Sequence, residues 1–148
     1  MRTPASIAGH PIHPMIVPLA IGGFLLSFLF DLVCYWKGAH PPWTIVAYWT
    51  MIGGILGALA AAVFGLVDLI SLPSGPVKST ALAHMGINLT VVVLYLINAW
   101  MRTGSPDYAP STLCVLLSLV AILLLVISGW LGGKLVYIHG VAVEKTTY

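Results

Sequence analysis

The sequence predicts an all-α integral membrane protein, a four-helix bundle, and three observations carry that prediction. Of 148 residues, 59% are hydrophobic and 7% charged, whereas a soluble domain carries about 25% charge. The apolar residues fall into four runs, each matching the roughly 20 residues needed to cross a bilayer core. The segments between the runs, "KGAHPP", "SLPSGPVKS" and "RTGSPDYAP", hold the Pro, Gly and Ser that interrupt helices. Four crossings and short loops use up the chain, so residues 1–148 are expected to form a single transmembrane domain with no separate soluble part.

Each run must be helical, because an unpaired backbone amide facing hydrocarbon costs several kcal/mol. The first runs from about Pro14 to Trp36. Pro14 suits the first turn, where a missing amide matters least, and Pro18 one turn later is expected to bend the helix. Prolines and histidines rather than an apolar core follow Arg2, and no small-residue cleavage site precedes the crossing, so this helix is expected to remain as an anchor. The second helix is expected from Thr44 to Ile70. It carries Gly53, Gly57, Ala61 and Gly65 at four-residue spacing, a stripe that either lets a neighbouring helix approach or leaves room for the edge of a flat cofactor. The third is expected from Ala81 to Met101 and the fourth from Thr112 to Tyr137, where Gly129 and Gly133 repeat the small-residue motif.

Arg2, Lys78, Lys134 and Lys145 share one side of this arrangement, and Lys37 and Arg102 the other. The bias places both termini in the cytoplasm, as in a bacterial inner-membrane protein. Tyr35, Trp36, Trp43, Tyr48, Trp49, Trp100 and Tyr108 gather at the far boundary as an aromatic belt would, with Trp130 and Tyr137 at the near one.

The chemistry-bearing residues gather on the near side. His10 and His13 precede the first helix, Asp68 ends the second, His84 enters the third and His139 leaves the fourth. His40 stands apart in a far-side loop and reads as an exposed polar residue. In the third helix His84, Asn88, Tyr95, Asn98 and Arg102 fall on one stripe, and in the first His13, Ser27 and Asp31 share an angular position. Polar groups on membrane helices face the bundle interior, so His13, His84 and Asp68 are expected to look inward.

Three classes of function compete for this cluster. A haem b held between two imidazoles would take its ligands from separate segments, with His10 and His13 each pairing with His84 or His139. A non-haem zinc, iron or copper site would use His10 and His13 with His84 or His139 and Asp68. A proton or ion path would follow the third helix, although the far half offers only Asn98, Asp31 and Arg102. The net charge of +2, with scattered basic residues, excludes nucleic acid as a partner. Cys34 and Cys114 lie in no CxxC or CxxCH pattern, which excludes a zinc ribbon and covalent haem, and their similar depth admits either a disulfide or two packed thiols. There is no activated Ser or Cys constellation and no phosphate-cradling loop, so no catalytic residue is named.

Four stretches together, "GHPIHP", "GLVDLISLP", "AHMGINL" and "SGWLGGKLVYIHGVAV", resemble the DUF2231 family of small bacterial membrane proteins over nearly the whole chain. The resemblance implies the same four-helix layout, with motif positions at His10, His13, Asp68, His84 and His139. The chain departs from the pattern at Ala142, where the family often has Gly, and at Lys134, where it often has a carboxylate. Some members resemble parts of electron-transfer systems, being fused to Rieske iron–sulfur domains or encoded near cytochromes, which favours the haem class.

The expectation is therefore an electron-transfer protein rather than an enzyme with its own substrate. It would be a b-type cytochrome binding haem b, two in the fullest reading, through His10, His13, His84 and His139. Asp68 would orient an imidazole, and Gly57, Gly129 and Gly132 would make room for the macrocycle. The electron partner would be a quinone or another redox protein, and a homo-oligomer with haem at its interface is part of this reading. The rival expectation is a transition-metal binding or transport protein using the same histidines.

Overall fold

The structure, a computed structural model, describes residues 3–143. Arg2 and Lys145, two of the charges that set the expected orientation, lie outside the described residues. Four helices, each long and apolar enough to cross a membrane, make an all-α bundle: α1 Ile12–Lys37, α2 Trp43–Ser71, α3 Pro76–Arg102 and α4 Thr112–Tyr137. The helices run up, down, up, down, and each packs beside its neighbours in sequence, with α1 closing against α4. The bilayer is therefore the solvent for their outer faces.

Local chemistry explains the boundaries. α3 starts at Pro76, a full turn before the apolar run at Ala81, because Gly75 supplies the break and Pro76 sits at the helix start. Polarity delays the apolar run but not the helix. Ser111 caps α4 by accepting the Cys114 N–H. Before α1 a two-strand hairpin, β1 Ser6–Ile7 and β2 His10–Pro11, turns at Ala8 and Gly9, both at positive φ. A short 3-10 turn at Pro106–Tyr108 precedes α4.

The α1–α2 crossing is close because glycines remove side chains from it. A Cβ on Gly23 would lie 2.6 Å from the Gly54 Cα, and one on Gly57 would lie 3.1 Å from the Ala20 nitrogen. Gly57 is thus a packing glycine, while Gly53 faces open space. Outward-facing Leu, Val and Ile cover the helices, and Tyr35, Trp36, Trp43, Trp49 and Trp100 are exposed at one end, as an interfacial belt requires. Tyr48 and Tyr108 are the exceptions: Tyr48 is buried, Tyr108 is half-buried, and their rings stack at 4.0 Å.

The bundle has an internal register that its composition hides. α1 and α3 lie on a diagonal and point the same way, and three pairs of side chains meet across the centre at one constant separation of 71 residues. His13 faces His84 at the near end, Phe24 stacks on Tyr95 at 4.1 Å in the middle, and Asp31 pairs with Arg102 at the far end. α1 and α3 therefore keep one register along the whole height of the bundle.

The far-end pair is fully buried. Arg102 donates through both terminal nitrogens to the two Asp31 oxygens at 2.7 and 2.5 Å, and its Nε donates to Asn98 Oδ1 at 2.8 Å. Asn98 Nδ2 in turn donates to Ser118 Oγ and to the Cys114 carbonyl, both at 2.8 Å. Two opposite charges with their hydrogen bonds satisfied survive in hydrocarbon where one alone would not. Asp31→Leu is expected to destabilise the fold by about 3–5 kcal/mol, because it strands the guanidinium. The exchange D31R/R102D should recover part of that loss, since it keeps the ion pair between the same two helices although Arg at position 31 would lack the Asn98 contact. Thermal unfolding in mild detergent checks both, and an exchange no better than the single change would contradict the shared register.

Candidate functional site

At the near end the N-terminal hairpin is tied down before α1 begins. The Ala5 N–H donates to Asp68 Oδ1 at 3.0 Å, and the Ile12 N–H to the Ala5 carbonyl at 2.9 Å. Asp68, buried at the end of α2, thus holds the incoming backbone. This fixes the direction in which α1 sets out, and with it the placement of His13 in its first turn.

His13 reaches across to α2. Its Nδ1–H donates to the Ala61 carbonyl at 2.8 Å; the acceptor is a carbonyl, so the proton sits on Nδ1 and the Nε2 lone pair is left free. In a regular helix that carbonyl also accepts from residue 65, and a side chain there would cover it. Residue 65 is glycine, and a Cβ on it would stand 2.9 Å from His13 Nδ1. The missing side chain is what lets the ring dock.

His84 repeats the device on the other half. Its Nδ1–H donates to the Ser128 carbonyl at 2.9 Å, with Ser128 Oγ equally close. The glycine four residues on is Gly132, where a Cβ would lie 3.2 Å from His84 Cε1. Asn88 adds a contact that His13 lacks: its Nδ2 donates to the His84 carbonyl at 2.9 Å and approaches His84 Nε2 at 3.1 Å. The two rings face each other edge to face, centroids 6.4 Å apart and planes at 86°.

The remaining predicted residues fall elsewhere. His10 is exposed on the hairpin, its Nδ1 bonded to the Ala8 carbonyl at 3.0 Å. His139 follows α4, half-buried, with a buried Nε2 that has no partner among the described residues. His40 is exposed in the far loop. Gly129 has nothing near it, whereas Gly132 seats an imidazole and Gly57 a helix. Among the described residues no three His, Cys, Asp or Glu side chains converge as a metal-ligand set. Cys34 and Cys114 are free, buried thiols, the latter accepting from Ser111 Oγ at 3.3 Å. A cavity of 190 Å³ lined by Asp31, Cys34, Tyr35, Pro110 and Ser111 lies at the opposite end of α1 from His13, about 27 Å away along the helix.

Ala61, Gly65, Ser128 and Asn88 belong to the site, yet sequence reasoning gave none of them this role. A signal existed: each half has a histidine early in its first helix and a glycine in its second, Gly65 and Gly132, four residues after the carbonyl that the histidine uses, with the second half four residues shorter between them.

The family model for a predicted membrane protein, DUF2231, matches residues 9–145, from before His10 to beyond His139. The chain belongs to the DUF2231 family. No curated protein and no solved structure matches it. The paired histidines therefore rest on this geometry and not on a relative's assigned site.

The glycine seats make a testable contrast. Gly65→Ala is expected to cost about 1–3 kcal/mol by overpacking against the His13 ring, Gly132→Ala less, and Gly129→Ala no more than about 0.5 kcal/mol. Thermal unfolding of the three variants in detergent checks the order.

Proposed function

We propose that this protein binds haem b between His13 and His84 and passes electrons within the bacterial inner membrane. The observation that carries the reading is the facing pair of imidazoles, each anchored through Nδ1 to a helix carbonyl. A histidine that coordinates iron through Nε2 commonly donates its other N–H to a carbonyl, which fixes the tautomer and raises the basicity of the ligand.

Donor count separates this reading from its rival. A zinc or similar ion in a protein site takes three or four side-chain ligands, and among the described residues two converge here. A haem brings four nitrogens of its own, so two protein ligands, His13 and His84, would be enough to hold it. Two imidazoles about 2 Å from one ion have centroids about 6 Å apart, comparable with the 6.4 Å between His13 and His84. A second haem would need His10 and His139, of which His139 alone carries a buried nitrogen without a partner.

When bound, the haem supplies one-electron chemistry. The protein's part is to hold the rings and keep the site in an apolar surround. The bonds from Nδ1 would make His13 and His84 stronger donors to a bound haem. Exchange partners of the class this implies are a membrane quinone or another redox protein. Lys78 and Lys134 at the histidine end, against Lys37 at the other, favour that end facing the cytoplasm; Arg102, once counted for the far side, is spent on Asp31 inside the bundle.

Protein purified from overproducing cells should be red, with a Soret band and a sharp α-band on reduction. The double variant H13A/H84A should lose both bands and His40→Ala should keep them. Colourless protein, or protein carrying stoichiometric zinc or copper by elemental analysis, would overturn the reading.

A further inference from the structure

The near end carries positive charge that the bundle does not neutralise. Of the carboxylates among the described residues, Asp31 is spent on Arg102, Asp68 accepts the Ala5 N–H, and Asp107 stands in the far-side turn before α4. Lys78 and Lys134 have no ion-pair partner among the described residues.

The fold sets these two lysines level with each other. His84 bonds the Ser128 carbonyl and Asn98 the Cys114 carbonyl, so α3 and α4 keep one antiparallel register. Continued toward the near end, that register puts Lys78 at the height of Lys134. The backbones there are fixed: Val77, just before Lys78, and Leu135, just after Lys134, belong to one apolar cluster with Leu69, Leu72 and Ala81. Both side chains leave on the lipid side. Lys78 lies one turn before exposed Leu82, and Lys134 stands one turn from both Trp130 and Tyr137, whose rings are 78% and 89% exposed. Trp and Tyr at this level mark the boundary between acyl chains and headgroups.

From this arrangement we propose that Lys78 and Lys134 form a binding site for one anionic phospholipid, held through its phosphate at the near boundary. The site does not depend on haem. Two like charges at the edge of a low-dielectric slab repel each other, and an anion between them relieves both. Neighbouring helix axes lie about 8–10 Å apart, a gap that two long lysine side chains close on one phosphate. Lysine suits the task, since it meets a phosphate as a mobile point charge and demands no single approach angle. Charge selects the headgroup. A phosphate with no attached amine presents its full charge to both lysines, whereas a choline or ethanolamine cation beside the phosphate is repelled by them. Trp130 and Tyr137 flank the lipid at the glycerol level. Lys37, exposed at the far end of α1, has no second lysine at its height and serves as the control.

The test is native mass spectrometry of the purified protein in mild detergent, titrated with phosphatidylglycerol or phosphatidylcholine of identical acyl chains. Wild-type protein is expected to bind one phosphatidylglycerol roughly tenfold or more tightly than phosphatidylcholine, since each lysine beside an anionic headgroup contributes a factor of about five. Lys78→Gln and Lys134→Gln should each weaken phosphatidylglycerol binding roughly fivefold, and K78Q/K134Q roughly thirtyfold. K78R/K134R should retain it, Lys37→Gln should leave it unchanged, and inorganic phosphate at millimolar concentration should not displace the lipid. Equal affinity for the two lipids, unchanged binding in K78Q/K134Q, an equal loss in Lys37→Gln, or displacement by inorganic phosphate overturns the proposal.

Discussion

Two hydrogen bonds, from His13 to the Ala61 carbonyl and from His84 to the Ser128 carbonyl, determine what the near end of this bundle can do. Carbonyls inside a membrane helix are normally hidden by the side chain one turn on. Gly65 and Gly132 remove that cover, so a ring from the adjacent helix bonds a carbonyl that is already part of a helix ladder. Each carbonyl oxygen has a second lone pair, so the ladder is not broken. The result is two imidazoles whose orientation and tautomer are set by backbone, the least mobile partner available, with the His13 Nε2 left free and the His84 Nε2 met by the Asn88 amide.

The rest of the fold keeps those rings opposite each other. α1 and α3 must hold their relative height, or His13 and His84 would slide past one another. The stacked Phe24–Tyr95 pair sets that height in the middle and the Asp31–Arg102 pair locks it at the far end. In lipid there is little hydrophobic drive between helices, so a buried ion pair specifies register where greasy packing alone would leave it free. Met51, Ile55 and Val91, with the Phe24–Tyr95 stack, occupy the layer between the two polar ends. The histidine end and the charged end are separate compartments of one bundle.

Much of this was legible in the sequence. Four apolar runs separated by Pro, Gly and Ser gave four helices, and the polar stripes along the first and third placed His13, Asp31, His84, Asn98 and Arg102 on inward faces. The partnerships were harder to read. A stripe tells which way a residue points but not what stands opposite it, so Asp31 and Arg102 looked like sparse stations of a path when they are one ion pair. Asp68 was expected beside an imidazole, and its carboxylate receives the Ala5 N–H, because a hairpin folds back over the end of α2 and short hairpins at a chain's start leave almost no pattern. Gly57 and Gly132 came from one line of reasoning about missing side chains, yet one admits a helix and the other a ring. That difference lies in the partner, which composition does not record.

The account stands on imidazole N–H groups that grip helix carbonyls inside the bilayer. Solid-state NMR on protein in lipid, labelled at histidine nitrogens and at the carbonyl carbons of Ala61 and Ser128, measures this directly. The account predicts protonated Nδ1 at His13 and His84, each about 4 Å from its own carbonyl carbon. Histidine nitrogens that show no coupling to either carbon, with tautomers mixed as in water, would contradict it.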